Sequence, residues 1–270
     1  MLTYPQIDPV AVNLGPLQIH WYALSYIAGF LLGWGWAVIL SKKYPAGTRP
    51  NADDIGDFLS WVILGILLGG RLGYVVFYNL DFYLDHLSEI PQVWDGGMSF
   101  HGGVIGVVIT LFVYSRIKKI NMLRLADLSA CSAPIGFFLG RLANFVNGEL
   151  YGRVTDGPWG MVFPRGGDEP RHPSQLYEAA LEGVLLFVIL AVMAQFKAVR
   201  DRPGILSMVF MFGYATFRFI VEFAREPDAQ LGFIVGHLSM GQLLSSLMVV
   251  CGLIIFVLVV KGRTQDGQSA

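Results

Sequence analysis

Two arginines in apolar surroundings are the residues of this chain best suited to binding an anion. Arg141 follows the run SACSAPIGFFLG, and Arg218 follows ILSMVFMFGYATF. Neither run can span a bilayer if it ends before its arginine, so each arginine is predicted to lie within a transmembrane helix. A guanidinium stays charged at physiological pH and donates paired hydrogen bonds to a phosphate. Because a charge in lipid costs at least about 2.5 kcal/mol, both positions indicate a functional site.

His101 is the candidate for proton transfer. It stands in the segment WDGGMSFHGG, residues 94–103, where glycines on both sides let backbone or substrate approach closely. Histidine exchanges a proton near neutral pH, as a general base must. A structural histidine is the alternative, and the residues alone leave both readings open.

Each arginine also has a structural alternative. Arg141 could extend toward the headgroups, although Gly140 before it and asparagines after it favour a packed pocket. Arg218 precedes Glu222 by four residues, so an intrahelical ion pair fits as well as a functional role. The two can coexist, since Glu222 could orient Arg218 toward a phosphate. For Arg71, a structural role fits at least as well.

The composition is typical of a membrane protein. Apolar residues make up 54% of the 270 and charged residues 14%, which is too few charges for a soluble surface. The net charge of −1 argues against nucleic acid as a partner. Cys131 and Cys251 lie in apolar stretches, which favours buried thiols, and no disulfide framework or metal-ligand cluster is visible. The N-terminus lacks a basic region, so no cleavable signal peptide is expected.

Seven segments are long and apolar enough to span a bilayer. They cover about 18–40, 57–79, 95–115, 124–145, 176–196, 204–224 and 238–260. We therefore predict an all-α integral membrane protein with a single membrane domain over residues 1–270. Most lysines and arginines fall in loops that face inward if the N-terminus is outside and the C-terminus cytoplasmic, which favours that orientation. The outer segment of about 146–175 is long for a simple connection and is predicted to be structured.

This topology gathers the polar residues at one depth, the outer leaflet. The residues concerned are Tyr22, Arg71, His101, Arg141, Asn144, Glu149 and Arg218. Transporters more often place polar sites near the midplane, so one polar leaflet favours a lipid-processing enzyme. The spacings Gly65/Gly69/Gly73 and Gly136/Gly140 predict close helix packing.

Residues 140–153, GRLANFVNGELYGR, closely resemble the signature of bacterial prolipoprotein diacylglyceryl transferases. Further matches at 20–22, 94–103, 171–178 and 217–230 follow in the family's order and cover nearly the whole chain. Ala143 stands where the family usually has glycine, which bears only on local packing.

The resemblance implies an enzyme of the bacterial cytoplasmic membrane whose active site faces the outer leaflet. It would transfer the diacylglyceryl group of phosphatidylglycerol to the lipobox cysteine of prolipoprotein signal peptides, releasing glycerol 1-phosphate. No metal or dissociable cofactor is implied. The alternatives are a transporter or flippase for an anionic lipid or phosphate-bearing metabolite, with the arginines holding phosphate, and a non-catalytic scaffold.

The resemblance also implies roles for individual residues. His101 would accept the thiol proton, while Arg141 and Arg218 would hold phosphate and stabilise its charge as it leaves. Supporting positions with their expected roles are Tyr22 and Asn144 as phosphate or glycerol contacts, Glu149 as an orienter of an arginine, Gly152 as a turn residue, and Glu222 as the partner of Arg218.

Overall fold

The computed structural model describes residues 2–226, 233–235 and 238–266, which are mostly helical. The chain divides into two compact units. The first unit comprises Met1–Ala37 and Asp127–Ala270, and the second comprises Val38–Ala126. The end of the 217–230 match, from residue 227, lies outside the described residues.

The first unit opens with a β-hairpin that the sequence analysis did not predict. Strands β1 (Val10–Leu14) and β2 (Leu17–His20) pair antiparallel. Gly15 in the intervening turn has a φ of 70°, a conformation that glycine adopts without strain. The hairpin leads directly into α1 (Trp21–Ser41).

The second unit contains two long helices, α2 (Ala52–Tyr78) and α4 (Phe100–Lys118). They are joined through the short helix α3 (Leu80–Asp85) and two 3₁₀ turns, Leu87–Glu89 and Val93–Asp95. The predicted segment began at residue 57, but α2 begins earlier because Asn51 and Asp54 form a capping box. Asp54 N–H donates to Asn51 Oδ1 at 2.9 Å, and Asn51 N–H donates to Asp54 Oδ2 at 3.0 Å.

Glycines bring α2 and α4 together at backbone distance. A Cβ placed on Gly69 would lie 2.8 Å from Gly106 Cα, and one on Gly73 would lie 2.6 Å from Gly102 Cα. The predicted packing of the Gly65/Gly69/Gly73 stripe is therefore confirmed. Within the described part of the chain, a Cβ on Gly140 would meet no heavy atom within 4 Å, so the prediction was wrong for Gly140.

Helix α5 (Met122–Val146) enters the first unit at Asp127, and this unit continues to the end of the described chain. A single helical stretch is built from α6 (Ser174–Glu178), a π-helix (Ala179–Leu185) and α7 (Leu186–Met193). The remaining elements are α8 (Lys197–Arg200), α9 (Ile205–Val221), the antiparallel pair β3 (Phe233–Val235) and β4 (Leu238–Ser239), and α10 (Met240–Asp266).

The segment between α5 and α6 is held by backbone bridges and a small core. Isolated antiparallel bridges pair Arg171 with both Val154 and Met161. Buried Tyr4, Phe145 and Phe163 form a hydrophobic cluster with Met161. Tyr4 also donates a hydrogen bond from its hydroxyl to the Phe145 carbonyl at 2.7 Å. These contacts fix the chain directly before α6.

Five helices of the described chain are long and apolar enough to cross a membrane. They are α1, α2, α4, α5 and the stretch Ser174–Met193, while Ile205–Val221 and Gly241–Val257 are shorter apolar helices. On α2, the leucines at 64, 68 and 72 lie one turn apart and expose 58%, 61% and 52% of their surface. An apolar stripe of this kind suits lipid rather than water. The chain is a helical, multi-pass membrane protein.

Candidate active site

Glu178, the last residue of α6, lies at the centre of a group of charges in the first unit. Its side chain is fully buried. Arg218 Nη1 donates to Glu178 Oε1 at 3.0 Å, and Arg225 Nη1 donates to the same oxygen at 2.7 Å. Arg141 Nε pairs with Glu178 Oε2. One carboxylate therefore bridges three guanidinium groups from α5, from α9 and from the chain just beyond α9.

Glu222 provides a second carboxylate to the same arginines. Arg218 Nη2 lies 2.9 Å from Glu222 Oε2, and Arg225 Nε lies 3.7 Å from that oxygen. The predicted i,i+4 ion pair between Arg218 and Glu222 is present, but Arg218 also reaches Glu178. A Cβ on Gly241 of α10 would lie 2.7 Å from Glu222 Oε2, so α10 approaches the pair closely.

A third carboxylate, Glu182, lies one turn beyond Glu178 in the π-helix and is 1% exposed. It interacts electrostatically with all three arginines. We call the set Arg141, Glu178, Glu182, Arg218, Glu222 and Arg225 the arginine–glutamate cluster.

The cluster combines fixed positive charge with limited access. The side chains of Arg141 and Arg218 remain 21% and 14% exposed, whereas that of Glu178 is 0% exposed. Arg141 and Arg218 are therefore partly open to a ligand, while the carboxylate that pairs with both of them is closed off. Charge-assisted hydrogen bonds from guanidinium groups are among the strongest that a phosphate can accept. Among the described residues, no group of three His, Cys, Asp or Glu side chains could hold a metal ion.

Three members of the cluster were missed from the sequence. Arg225 was counted as a loop residue, and Glu178 and Glu182 were counted with the fifth apolar segment. The available signal was the spacing of Glu178 and Glu182 four residues apart in that segment. Two carboxylates there are as costly in lipid as the arginines and indicate a functional site in the same way.

Asn144 and Glu149 meet beside Arg141. Asn144 Nδ2 donates to Glu149 Oε1 at 2.9 Å, and Asn147 Nδ2 donates to the same oxygen at 3.2 Å. The expected role of Glu149 was to orient an arginine, yet the hydrogen bonds to its carboxylate come from these two asparagines. Tyr22 interacts electrostatically with both Arg141 and Glu149. The first unit thus brings Tyr22 and Asn144 to the side of Arg141.

Gly152 lies where its backbone passes close to His172 and Arg225, and it does not form the predicted turn. Its N–H donates to the His172 carbonyl at 2.8 Å, and its backbone forms an extended bridge with Arg225. A Cβ on Gly152 would lie 2.8 Å from His172 Cβ. The turn lies earlier, at Gly148 and Leu150, whose φ angles are 64° and 56°. A side chain at Gly152 would push apart the strands that hold Arg225.

His172 is a partly buried group next to this bridge, outside the apolar helices. Burial lowers the pKa of its imidazole below the ordinary value. Trp159 Nε1 donates to His172 Nδ1 at 3.3 Å, and the Tyr177 hydroxyl lies 3.1 Å from the same nitrogen. A nitrogen that accepts from Trp159 carries no proton, which agrees with the direction of the pKa shift.

His101 lies in the second unit, at the second residue of α4. Ser99 caps the helix, its Oγ accepting from Gly102 N–H at 3.1 Å. His101 Nε2 is buried and has no hydrogen-bond partner among the described residues. We still predict, from the sequence, that His101 lies close to the arginine–glutamate cluster of the first unit.

Arg71 is buried in the second unit and donates to backbone carbonyls. Its Nε reaches Ile90 O at 2.7 Å, and its Nη2 reaches Glu89 O at 2.7 Å. Nη1 donates to Gly96 O at 2.6 Å and to Gly97 O at 3.3 Å. These bonds favour the structural alternative for Arg71, because they hold the loop that leads into α4.

The fold and the cluster together define a class: an α-helical membrane protein with buried arginines bridged by carboxylates. The family described as prolipoprotein diacylglyceryl transferase matches residues 9–258, and the chain belongs to that family. Three relatives carry the name phosphatidylglycerol–prolipoprotein diacylglyceryl transferase. That of Rhodospirillum centenum is 52% identical over 259 residues, covering 95% of this chain and 93% of the relative. That of Azospirillum brasilense is 53% identical over 253 residues, with 93% and 94% covered. That of Geobacter sulfurreducens is 52% identical over 266 residues, with 97% and 99% covered.

Proposed function

We propose that this chain is a transferase that moves the diacylglyceryl group of phosphatidylglycerol to the lipobox cysteine of prolipoproteins. The observation that carries the proposal is that the buried carboxylate of Glu178 bridges Arg141 of α5, Arg218 of α9 and Arg225 just beyond α9. Such a cluster suits a lipid whose headgroup is a phosphate. Membership of the prolipoprotein diacylglyceryl transferase family supports the same reaction.

The reaction exchanges one bond for another at an sp³ carbon. The cysteine sulfur attacks the glyceryl carbon that bears the phosphate, a C–S thioether bond forms, and the C–O bond to phosphate breaks. The electron pair of that bond leaves on glycerol 1-phosphate, and the thiol proton passes to a base. No oxidant or reductant is needed, and the only sulfur that reacts belongs to the prolipoprotein.

Arg141 and Arg218 bind the lipid phosphate and stabilise its departure. A phosphodiester carries one negative charge, and the leaving monoester gains a second. Preorganised donors aimed at developing charge lower the barrier more than donors that must reorganise. Glu178 and Glu222 hold Arg218 in place, and Glu178 holds Arg141, so both guanidinium groups are preorganised. Tyr22 and Asn144, next to Arg141, contact the phosphate or the glycerol.

His101 accepts the thiol proton. A free cysteine has a pKa of about 8.5 and is mostly protonated at neutral pH, although the thiolate is the nucleophile. An imidazole takes protons in this pH range. The buried Nε2 of His101, which has no hydrogen-bond partner among the described residues, is consistent with that role.

The proposed topology has seven transmembrane helices, with the N-terminus outside and the C-terminus in the cytoplasm. It adds α9 and α10 to the five longer apolar helices, and the distribution of lysine and arginine supports its direction. The site then faces the outer leaflet of the bacterial cytoplasmic membrane. Phosphatidylglycerol and an exported prolipoprotein signal peptide would meet there.

A reconstituted transfer assay tests the proposal. Purified protein in detergent is incubated with phosphatidylglycerol and a lipobox peptide, and the peptide is weighed by mass spectrometry. We expect a diacylglyceryl mass increase with release of glycerol 1-phosphate, and no increase with the Cys→Ser peptide. If neither product forms with the cysteine peptide, the proposed function is wrong.

A pH series tests His101. We expect His101→Ala to slow transfer by about 10²-fold or more at neutral pH and to regain rate as pH approaches the thiol pKa of about 8.5. His86→Ala is the matched control, since His86 is an exposed histidine of the same unit. An unchanged rate for His101→Ala across pH would assign the thiol proton to water or another group.

A further inference from the structure

Glu182 is a buried carboxylate that the proposed chemistry does not use. It is 1% exposed, and its Oε1 accepts no hydrogen bond from any described residue. It lies in the π-helix Ala179–Leu185, a rare conformation that is frequent at functional sites. A buried polar atom left without a hydrogen bond requires an explanation.

Charged or titratable groups from three helices interact electrostatically with Glu182. Arg141 approaches from α5, Glu178 from α6, and Tyr214 and Arg218 from α9, with Arg225 following α9. Glu178 and Glu222 make ion pairs with these arginines. Among the ion pairs of the described residues, none involves Glu182. Of the three carboxylates of the cluster, Glu182 is therefore the one without an ion pair among the described residues.

Charge counting shows what this carboxylate can do. With all groups ionised, three guanidinium groups and three carboxylates balance, so the empty cluster is neutral. A bound phosphodiester adds one negative charge, and the leaving phosphate monoester adds another. An uncompensated charge costs several kcal/mol in a buried site. One proton taken up by a carboxylate of the cluster would restore neutrality when lipid binds.

We propose that Glu182 takes up one proton when a phosphate-bearing lipid binds at Arg141 and Arg218, so that the lipid phosphate replaces its charge. The proposal rests on the proposed function, which places the phosphate there. Glu182 is a positioning residue in this scheme. Its protonation leaves the arginines free to turn toward the lipid without displacing Glu178 or Glu222, which hold them.

The affinity for phosphatidylglycerol should depend on pH in one direction. The proposed exchange requires Glu182 to be ionised in the empty site and protonated in the lipid complex, so that binding consumes a proton. Affinity for phosphatidylglycerol then weakens as pH rises, by up to about tenfold per pH unit. Glu182→Gln is neutral at every pH and has almost the same shape. It is expected to bind the lipid without proton uptake and with an affinity that does not change with pH.

Calorimetry measures the proton directly. The full chain in neutral detergent is titrated with phosphatidylglycerol in buffers of different ionisation enthalpy, where the slope of observed heat against that enthalpy gives the protons taken up. We expect about one proton for the wild type and for Glu169→Gln, an exposed glutamate that serves as the control, and none for Glu182→Gln. Diacylglycerol, which lacks phosphate, should cause no uptake. Glycerol 1-phosphate shows whether free phosphate is sufficient.

The outcomes separate the two proposals. Lipid binding and peptide transfer without proton uptake in the wild type, or with equal uptake in Glu182→Gln, would overturn the role of Glu182 alone. Failure of phosphatidylglycerol to bind and of the peptide to be modified would overturn both. If Glu182→Gln is poorly folded, Glu182→Asp provides the second variant. It retains a titratable group one methylene further from the arginines, so the pH range in which lipid affinity changes should shift, and an unshifted range would overturn the role of Glu182.

Discussion

The two units both bury arginine, but they satisfy it in opposite ways. In the second unit, the guanidinium of Arg71 donates to the carbonyls of Glu89, Ile90 and Gly96 and lies 5.2 Å from the ring centre of Tyr83. In the first unit, three arginines share Glu178. Neutral carbonyls in a loop hold the position of Arg71 and are not exchanged for a ligand. In the first unit, the carboxylates balance the charge of the arginines. An anionic ligand can compete with these carboxylates for the guanidinium donors.

The difference separates an arginine that builds structure from arginines that can act on a substrate. Burial alone does not distinguish them, since Arg71, Arg141 and Arg218 all lie in apolar helices and Arg225 lies just beyond one. What distinguishes Arg71 from all three cluster arginines is the type of partner, and what distinguishes it from Arg141 and Arg218 is also the exposure of the side chain. Arg71 is 4% exposed, whereas the side chain of Arg141 is 21% exposed.

Removing a cluster arginine should have the largest effect on activity. We expect Arg141→Ala to lower the transfer rate by about 10³-fold, because one preorganised donor to the leaving phosphate is lost. Glu178 keeps its bonds to Arg218 and Arg225, so the variant should remain folded in detergent. Arg202→Ala, at an exposed arginine, is the matched control. A rate within tenfold of the wild type would remove Arg141 from the site.

Removing the loop arginine should mainly affect stability. We expect Arg71→Ala to lower the free energy of unfolding by about 2–4 kcal/mol, because buried carbonyls lose their donors. Thermal unfolding in detergent measures the loss. The Kd of the folded fraction for phosphatidylglycerol should stay within about threefold of the wild type. A loss of lipid affinity as large as that of Arg141→Ala would show that Arg71 also contributes to lipid binding, and the two units would then not differ in this respect.

Two glycine substitutions compare helix packing in the two units, and their expected effects on stability are smaller. Gly69→Ala should destabilise by about 1–3 kcal/mol, since its Cβ would lie 2.8 Å from Gly106 Cα. Gly140→Ala should change stability by less than about 1 kcal/mol, because its Cβ meets no described atom within 4 Å. The apparent Tm of each variant is the measurement. Equal shifts for both would contradict the packing described for α2 and α4.

The smallest expected effect concerns His172. Its pKa is lowered in the folded state, so the unfolded chain binds more protons as pH falls. The contribution of His172 to the free energy of unfolding is therefore fully present above the ordinary histidine pKa of about 6.5. It is lost as pH falls through that value. His172→Gln should flatten this part of the Tm profile between pH 7.5 and 5.5, values chosen about one unit either side of that pKa. An unchanged profile would assign the dependence elsewhere.

Local patterns predicted the parts of the fold and site that depend on neighbouring residues. The pairing of Arg218 with Glu222 follows from their i,i+4 spacing, and the close packing of Gly69 follows from its small-residue stripe. The start of α2 was misjudged because hydropathy locates the apolar run, while the helix begins at its cap. Asn51 and Asp54 carried that signal.

Contacts between distant segments could not be read in this way. Glu178 meets Arg141, Arg218 and Arg225 only after three separate segments have packed, and no local spacing encodes that arrangement. The same holds for the bridge between Gly152 and Arg225. The π-helix also has no residue signature in this chain, since Ala179–Leu185 contains ordinary helix-forming residues.

The π-helix has a consequence for how this segment tolerates insertions and deletions. Widening a helical turn accommodates an extra residue without breaking the helix. Deletion of one residue between Glu178 and Leu186 could let the stretch close into a regular α-helix of similar length. Because the widened turn absorbs the extra residue, the side chains beyond the deletion would keep nearly their present orientation relative to Glu178. A single missing codon between Glu178 and Glu182 would therefore leave the transmembrane segment intact and bring the two carboxylates from four residues apart to three, still on one face of the helix.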